Sequence, residues 1–146
     1  MNTSPVCVDA SVVTDVLFAL DEDPQLQTRW GDWVQQGTQL VAPRLLRYEV
    51  TNAIFQIAKK SQLSPESAEE TIQLLTQLPI QLIDVDGLHS RAFQIARDLS
   101  LSATYDAHYL ALAYALDCEF WTRDAKLVRA AQQQYRWVRL LGQSDR

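Results

Sequence analysis

Four acidic residues stand where side chains of this chain are best placed to do chemistry. Asp9 follows a short apolar run, Glu49 lies one turn into a predicted helix, Asp106 opens another helix, and Asp124 ends a second apolar run. Because the carboxyl ends of parallel strands and the amino ends of the next helices share one edge of a sheet, we expect the four carboxylates to meet there. Carboxylate oxygens are the ligands that Mg²⁺ and Mn²⁺ prefer. The pattern therefore predicts a divalent-metal site that could cut a phosphodiester bond.

Each acid also has an ordinary explanation when it is considered alone. Asp9 and Asp124 could cap helices, Asp106 could favour a helix dipole, and Glu49 could be a solvated helix residue. The set is harder to explain, because Glu49 and Asp106 stand beside apolar or small residues at the margin of the predicted core. Two carboxylates about 4 Å apart repel by roughly 4 kcal/mol at an effective dielectric constant near 20, and a bound divalent cation reverses that sign.

The two histidines do not add to this site in the sequence. His89 and His108 are not spaced as a metal-binding pair, so the sequence does not favour zinc. We expect His89 at the surface, and we expect His108 to point away from Asp106, which precedes it by two residues on one helix.

Short apolar runs alternate with longer segments of helical periodicity along the chain. The predicted strands are residues 6–8, 40–42, 80–83, 120–122 and 137–141, and the predicted helices are residues 12–20, 24–36, 45–60, 65–78, 87–99, 105–116 and 125–133. Ser11, Asp23 and Ser64 are the expected caps of the first, second and fourth helices. Strands separated by helices require right-handed crossovers, so the predicted α/β fold is a three-layer α/β/α sandwich around a central, mostly parallel five-stranded sheet.

Length and composition fit one globular domain. The chain has 146 residues, of which 47% are hydrophobic and 21% charged. We expect a single domain over residues 1–142 and a frayed tail over residues 143–146. A net charge of −5 disfavours a general basic binder of nucleic acid, but it is compatible with an acidic metal site. The chain shows no membrane-spanning run, no signal-like amino terminus and no disulfide framework, so we expect a cytoplasmic protein.

The four segments that contain the acids resemble the PIN domain family, and within it the VapC-like toxin ribonucleases of bacterial toxin–antitoxin pairs. These segments are residues 8–11 (VDAS), 48–53 (YEVTNA), 105–113 (YDAHYLALA) and 122–124 (TRD). The resemblance spans nearly the whole chain, and residues 105–113 are its most specific part. Trp121 stands where the family usually has an aliphatic residue, and His108 stands where a hydrophobic residue is common.

The resemblance implies an endoribonuclease that depends on Mg²⁺ or Mn²⁺ and hydrolyses RNA with water activated by the metal. Asp9 and Asp106 would be its firmest metal ligands, and Asp124 would bind directly or through water. Glu49 would bind a second ion or orient the attacking water. Three polar neighbours would donate hydrogen bonds to the carboxylates: Ser11, Asn52 and Thr122. The resemblance also implies a small antitoxin protein that blocks the site, and a homodimer.

Basic residues are concentrated near the carboxyl end, where residues 119–146 hold six bases against three acids. A basic flank beside an acidic pocket could hold RNA phosphates. Arg123 is the residue we would select for such a contact, because it precedes Asp124. Trp30 and Trp33 are expected to pack in the core, and a docking surface for the antitoxin is the alternative.

Three other functions compete with a nuclease. A metal-dependent phosphohydrolase of the haloacid dehalogenase type usually has a second Asp where this chain has Ser11, and the lysines of this chain fit that class poorly. A signalling receiver needs paired acids after the first strand and a Lys after the fifth, and neither is present. The third alternative is a PIN-fold module that binds RNA or a partner without catalysis. The complete acid set argues against this module, and an activity assay decides between them.

Overall fold

Five short strands form the centre of this computed structural model, which describes residues 4–142. They are β1 (Val6–Val8), β2 (Leu40–Ala42), β3 (Ile80–Leu82), β4 (Glu119–Thr122) and β5 (Val138–Leu140). Their order is β3-β2-β1-β4-β5, and every neighbouring pair is parallel. The central strands β1 and β2 are wholly apolar and buried, whereas β3 at one edge is less buried. The predicted five-stranded parallel sheet is confirmed.

Helices connect the strands and complete the predicted α/β/α sandwich. They are α1 (Ala10–Ala19), α2 (Pro24–Gln36), α3 (Leu45–Ser61), α4 (Pro65–Gln77), α5 (Leu88–Asp98), α6 (Tyr105–Leu116) and α7 (Ala125–Ala131), with a 3-10 turn at Leu20–Glu22. None of the helices within residues 4–142 combines the length and the apolar character that a membrane span requires. The predicted tail, residues 143–146, lies outside the described residues.

Helix caps follow the sequence at two of three predicted positions. The side chains of Asp23 and Ser64 accept the backbone N–H of Leu26 and Ser67, and Pro follows each cap at the first helical position. The prediction that Ser11 caps the first helix was wrong. That helix begins two residues earlier than predicted, and Asp9 is its cap.

The strand order creates a crevice between the carboxyl ends of β1 and β4. From β1 the chain adds β2 and β3 on one side, and it then crosses to build β4 and β5 on the other side. Ligands of open α/β sheets bind outside the strand ends at such a switch point. The register pairs Val8 with Trp121, and the N–H of Asp9 donates to the carbonyl of Trp121 across 3.0 Å. Asp9 and the segment after β4 are therefore held side by side.

Tryptophans fill the space between α2 and the sheet. Trp30 and Trp33 are only 8% and 5% exposed. Trp33 makes edge-to-face contacts with Trp30 and with Trp121, at centroid distances of 6.3 and 5.7 Å. The expected core role of Trp30 and Trp33 is confirmed, and the two rings do not themselves form an exposed patch.

Candidate active site

Asp9 is fixed by three hydrogen bonds at the end of β1. Its Oδ2 accepts the hydroxyls of Ser11 (2.8 Å) and Thr122 (2.7 Å), and its Oδ1 accepts the N–H of Ala10 (2.9 Å). Burial raises the pKa of this carboxyl, the three hydrogen bonds lower it, and the nearby charge of Asp124 raises it. The side chain of Asp9 is thus held in one orientation and is costly to ionise without a compensating charge.

The same two hydroxyls order the backbone that follows β4. The Oγ of Ser11 accepts the N–H of Arg123 (3.0 Å), and the Oγ1 of Thr122 accepts the N–H of Asp124 (3.1 Å). The Oδ1 of Asp124 in turn accepts the N–H groups of Lys126 and Leu127, so that Asp124 caps α7. Each hydroxyl therefore links the first acid to the segment that carries the fourth.

Glu49 reaches the cleft from α3 and is held by a buried tyrosine. The hydroxyl of Tyr109 donates to its Oε1 across 2.6 Å, and the ring of Tyr109 is fully buried on α6. Burial raises the pKa of Glu49, the hydrogen bond from Tyr109 lowers it, and the charge of Asp9 raises it. Burial and the charges of Asp9 and Glu49 also raise the pKa of Tyr109, so this hydroxyl remains a donor.

The charges of all three other acids act on Asp106. Burial raises its pKa to about 7, and the charges of Asp9, Glu49 and Asp124 each contribute to that rise. Since a carboxyl group ordinarily titrates near 3.9, Asp106 is uncharged in a large part of the molecules at neutral pH. This coupling shows that the structure brings the four predicted acids into one electrostatic environment.

A cavity of about 450 Å³ opens between these acids. Glu49, Asp106 and Asp124 line it, together with Tyr105, Lys126 and the connection between α5 and α6 over residues 99–103. Asp9 is 6% exposed and does not line the cavity, but its charge acts on Asp106, which does. Acids from three different segments therefore line one cleft at the carboxyl edge of the sheet, and Asp9 lies buried beside it.

Arg123 faces the interior, and the prediction that it contacts RNA was wrong. Its side chain is 4% exposed, and the guanidinium pairs with the carboxylates of Asp15 and Asp23. It also donates to the carbonyl of Leu141. Gly142, at φ +89°, lies so close to Arg123 that a Cβ at position 142 would be 2.6 Å from the Nη1 of Arg123. Lys126 is exposed and lines the cleft.

Asn52 also lies outside the hydrogen-bond network around the acids. Its side chain is exposed on α3, three residues after Glu49. Across the part of the chain that the structure describes, no hydrogen bond joins it to any of the four acids. Of the three predicted donors, the structure brings Ser11 and Thr122 to a carboxylate and leaves Asn52 in solvent.

Sequence reasoning missed two features near the cleft. Tyr109 follows Asp106 by three residues, so its position one helical turn along was a signal that it faces the same side. The other feature is a contact between His89 and His108, whose ring nitrogens are 2.9 Å apart. No spacing rule indicates that contact, because the two residues belong to different helices.

The donor set suits a hard cation rather than zinc. In the described range, residues 4–142, no three Asp, Glu, His or Cys side chains are grouped closely enough to hold a metal ion as they stand. Mg²⁺ keeps several waters and is typically bound through one or two carboxylates, so it does not need a closed protein shell. A cluster of carboxylates with raised pKa values lacks positive charge, which a hydrated Mg²⁺ or Mn²⁺ would supply.

Comparison with known sequences identifies relatives over most of the chain. The PIN domain profile matches residues 7–140. The ribonuclease VapC9 of Mycobacterium tuberculosis and the VapC ribonuclease Mb0985 of Mycobacterium bovis are each 31% identical over 105 residues. These matches cover 68% of this chain and 80% of each relative.

Comparison with solved structures agrees on the fold. The protein PAE2754 of Pyrobaculum aerophilum superposes with a TM-score of 0.66 at 20% identity, covering 86% of this chain and 85% of its own. A chain of a toxin–antitoxin complex from Klebsiella pneumoniae superposes with a TM-score of 0.63 at 18% identity, covering 91% and 94%. Together with the profile match and the relatives, these similarities establish that the chain belongs to the PIN domain family.

Proposed function

We propose that this protein is an endoribonuclease that depends on Mg²⁺ or Mn²⁺ and is the toxin of a toxin–antitoxin pair. One observation carries the proposal: Asp106 sits partly buried in a cleft near three further acids, and its pKa is raised to about 7. Such a deficit of positive charge is unfavourable in the protein alone and suits a divalent cation. The relatives bear the name ribonuclease, which supports RNA as the substrate.

The four acids divide the work in this proposal. Asp9 and Asp106 would be direct metal ligands, and Asp124 would bind directly or through water. Glu49, held by Tyr109, would bind a second ion or orient the attacking water. Ser11 and Thr122 fix the carboxylate of Asp9 in the orientation that a ligand needs. When bound, the divalent ion supplies Lewis acidity, which makes water a stronger acid and offsets negative charge on the phosphate.

The decisive experiment compares cleavage of labelled tRNA and other structured RNAs by wild type and by Asp106→Asn. We expect Mn²⁺ to support cleavage by the wild type, EDTA to stop it, and the variant to be inactive. The matched control is Asp117→Asn, which makes the same chemical change just before β4, at the opposite edge of the sheet. Asp117 has φ 52°, a conformation that Asn also accepts.

Each alternative has its own outcome in this experiment. Cleavage by Asp106→Asn at the rate of the wild type would contradict the assignment of the site. Hydrolysis of small phosphate esters without cleavage of RNA would indicate a phosphohydrolase. Binding of RNA or of a partner without any hydrolysis would indicate a PIN-fold module that has lost catalysis.

The proposal includes a cytoplasmic location and two protein contacts, a small antitoxin that blocks the cleft and a second copy of this chain. One structural neighbour belongs to a toxin–antitoxin complex, which supports an antitoxin here. Co-expression with the product of a short neighbouring reading frame should suppress cleavage, and sedimentation of the purified chain should give the mass of a dimer. A chain that sediments at 16.6 kDa at all concentrations would contradict the homodimer.

A further inference from the structure

The only two histidines of the chain meet at the surface, between α5 and α6. The Nδ1 of His89 and the Nε2 of His108 are 2.9 Å apart, and the two rings are tilted at 65°. His89 is exposed and His108 is partly buried. The mechanism proposed above uses neither imidazole, so the contact calls for an explanation of its own.

His108 is oriented as a metal-binding histidine would be. Its Nδ1 is 2.7 Å from the carbonyl oxygen of Thr104. Because a carbonyl oxygen can only accept, Nδ1 carries the proton and Nε2 presents a lone pair toward His89. A backbone carbonyl that fixes the tautomer and the ring in this way is the usual outer partner of a ligating histidine.

We infer that His89 and His108 form a binding site for a transition-metal ion that prefers imidazole nitrogen, such as Ni²⁺, Cu²⁺ or Zn²⁺. Metal–nitrogen bonds of about 2.05 Å place two ligating nitrogens about 2.9 Å apart when the bonds meet at a right angle and about 3.3 Å apart at a tetrahedral angle. The observed separation is 2.9 Å. Only the exposed ring of His89 has to turn, and its proton moves from Nδ1 to Nε2, so both imidazoles stay neutral. Water completes the coordination.

This site differs in chemistry from the acidic cleft. Imidazole selects Zn²⁺, Cu²⁺ and Ni²⁺, whereas carboxylate and water suit Mg²⁺ and Mn²⁺. The chain has no third histidine, and both cysteines, Cys7 and Cys118, are buried. A metal ion that requires nitrogen ligands therefore has one pair of imidazoles to bind, and excess Mg²⁺ does not compete for it.

The histidine site would act on the cleft through the connection between α5 and α6. Residues 99–103 of that connection line the cleft, and the two histidines lie on the helices at its two ends. A positive charge at His108 lowers the pKa of Glu49, so a cation held at this ring would act on that acid. An ion on the pair would tie the two helices together and add positive charge near Glu49. This effect on cleavage rests on the function proposed above, whereas binding of the ion does not.

The test is calorimetric titration of the untagged full chain with Ni²⁺ in excess Mg²⁺. We expect wild type to bind one equivalent and His89→Gln to bind at least tenfold more weakly. Ser90→Ala, next to His89 on the exposed face of α5, is the matched control and should bind as wild type does. Asp106→Asn should also keep the Ni²⁺ site, because it alters the acidic cleft and leaves both imidazoles in place.

Ring C–H signals in the proton NMR spectrum give a second readout that does not depend on any activity. Substoichiometric Ni²⁺ should broaden the signals of both histidines in wild type and in Asp106→Asn. Ni²⁺ binding by His89→Gln as tight as that of wild type, or its loss in Asp106→Asn, would overturn the inference. Either result leaves RNA cleavage as a separate question, because the site is scored by metal binding alone.

Discussion

Asp106 is the residue on which the electrostatics of the cleft act most strongly. Its pKa of about 7 arises from burial first and then from Asp9, Glu49 and Asp124. In the unfolded chain the same carboxyl titrates near 3.9. Between these two pH values the folded state binds more protons than the unfolded state, so stability falls as pH rises through this window. Above pH 7 the carboxyl is mostly charged in the folded state too, and the full destabilisation of the folded protein is present.

Asp106→Asn should therefore remove a pH-dependent cost as well as the activity. In EDTA at pH 8 we expect the variant to be more stable than wild type by about 2 kcal/mol, after allowance for solvent screening. Below about pH 3 the advantage should vanish, because the carboxyl is then mostly neutral in both states of the wild type. Urea unfolding of both proteins across this pH range measures the difference. A difference that does not change with pH would contradict the raised pKa.

Tyr109 gives a second prediction for a single side chain. Tyr109→Phe removes the hydroxyl that donates to Glu49 and leaves the ring in the core. We expect the Mn²⁺ concentration for half-maximal cleavage to rise about tenfold, since a lost outer hydrogen bond weakens metal affinity by this order. Tyr114→Phe is the control, because it removes the hydroxyl of an exposed tyrosine on the same helix. Equal behaviour of the two variants would show that Tyr109 only fills space.

Elements of the fold are joined near the cleft by one buried cation. Arg123 follows β4 and pairs with Asp15 on α1 and with Asp23, the cap of α2. It also meets the chain just after β5, at Leu141. Four segments thus depend on one guanidinium, and the segment that carries Asp124 is among them.

Arg123→Met should destabilise the protein by about 3–5 kcal/mol, because it removes the buried guanidinium that pairs with two acids beside the core. Arg139→Met is the matched control on β5, where the guanidinium is 48% exposed and pairs with Glu119. We expect that change to cost under about 1 kcal/mol, as for most surface ion pairs. Urea unfolding compares the two variants. Similar costs would show that the buried pairs add nothing beyond a surface pair.

The elements were largely predictable from the sequence, because apolar runs and helical periodicity report burial directly. The caps Asp23 and Ser64 were predictable for a local reason, the Pro that follows each of them. Ser11 was misjudged because its hydroxyl donates to Asp9, two residues earlier, and Asp9 itself caps the helix. The inward direction of Arg123 depends on acids about 100 positions away in the chain, which no local pattern reveals.

The sequence was sufficient to predict which four acids meet at the site, but not the side-chain contacts around them. Parallel topology was sufficient to bring Asp9, Glu49, Asp106 and Asp124 to one edge. The pairing of His89 with His108 depends on how α5 packs on α6, and sequence spacing contains no measure of that packing. The role of Asn52 was implied by the family resemblance of residues 48–53, but the structure leaves its side chain in solvent.

The molecule as a whole has a net charge of −5, and its cleft concentrates acids at one edge of the sheet. At pH 8 we expect 5 mM Mg²⁺ to raise the melting temperature of wild type by a few degrees, since an ion that binds only the folded state stabilises it. Asp106→Asn should show a smaller increase. NaCl at matched ionic strength controls for screening of the net charge. Equal increases for both proteins would show that Mg²⁺ acts on the general charge and not in the cleft.

Asp124 has a further consequence for mutagenesis, because one of its oxygens already caps α7. An alanine scan at this position would remove a helix-starting contact and an acid together, and the loss of the cap alone costs about 1 kcal/mol. Asparagine caps helices as well as aspartate does but has no charge. Comparing Asp124→Ala with Asp124→Asn therefore separates the loss of the helix cap from the loss of the charged group that we propose as a metal ligand.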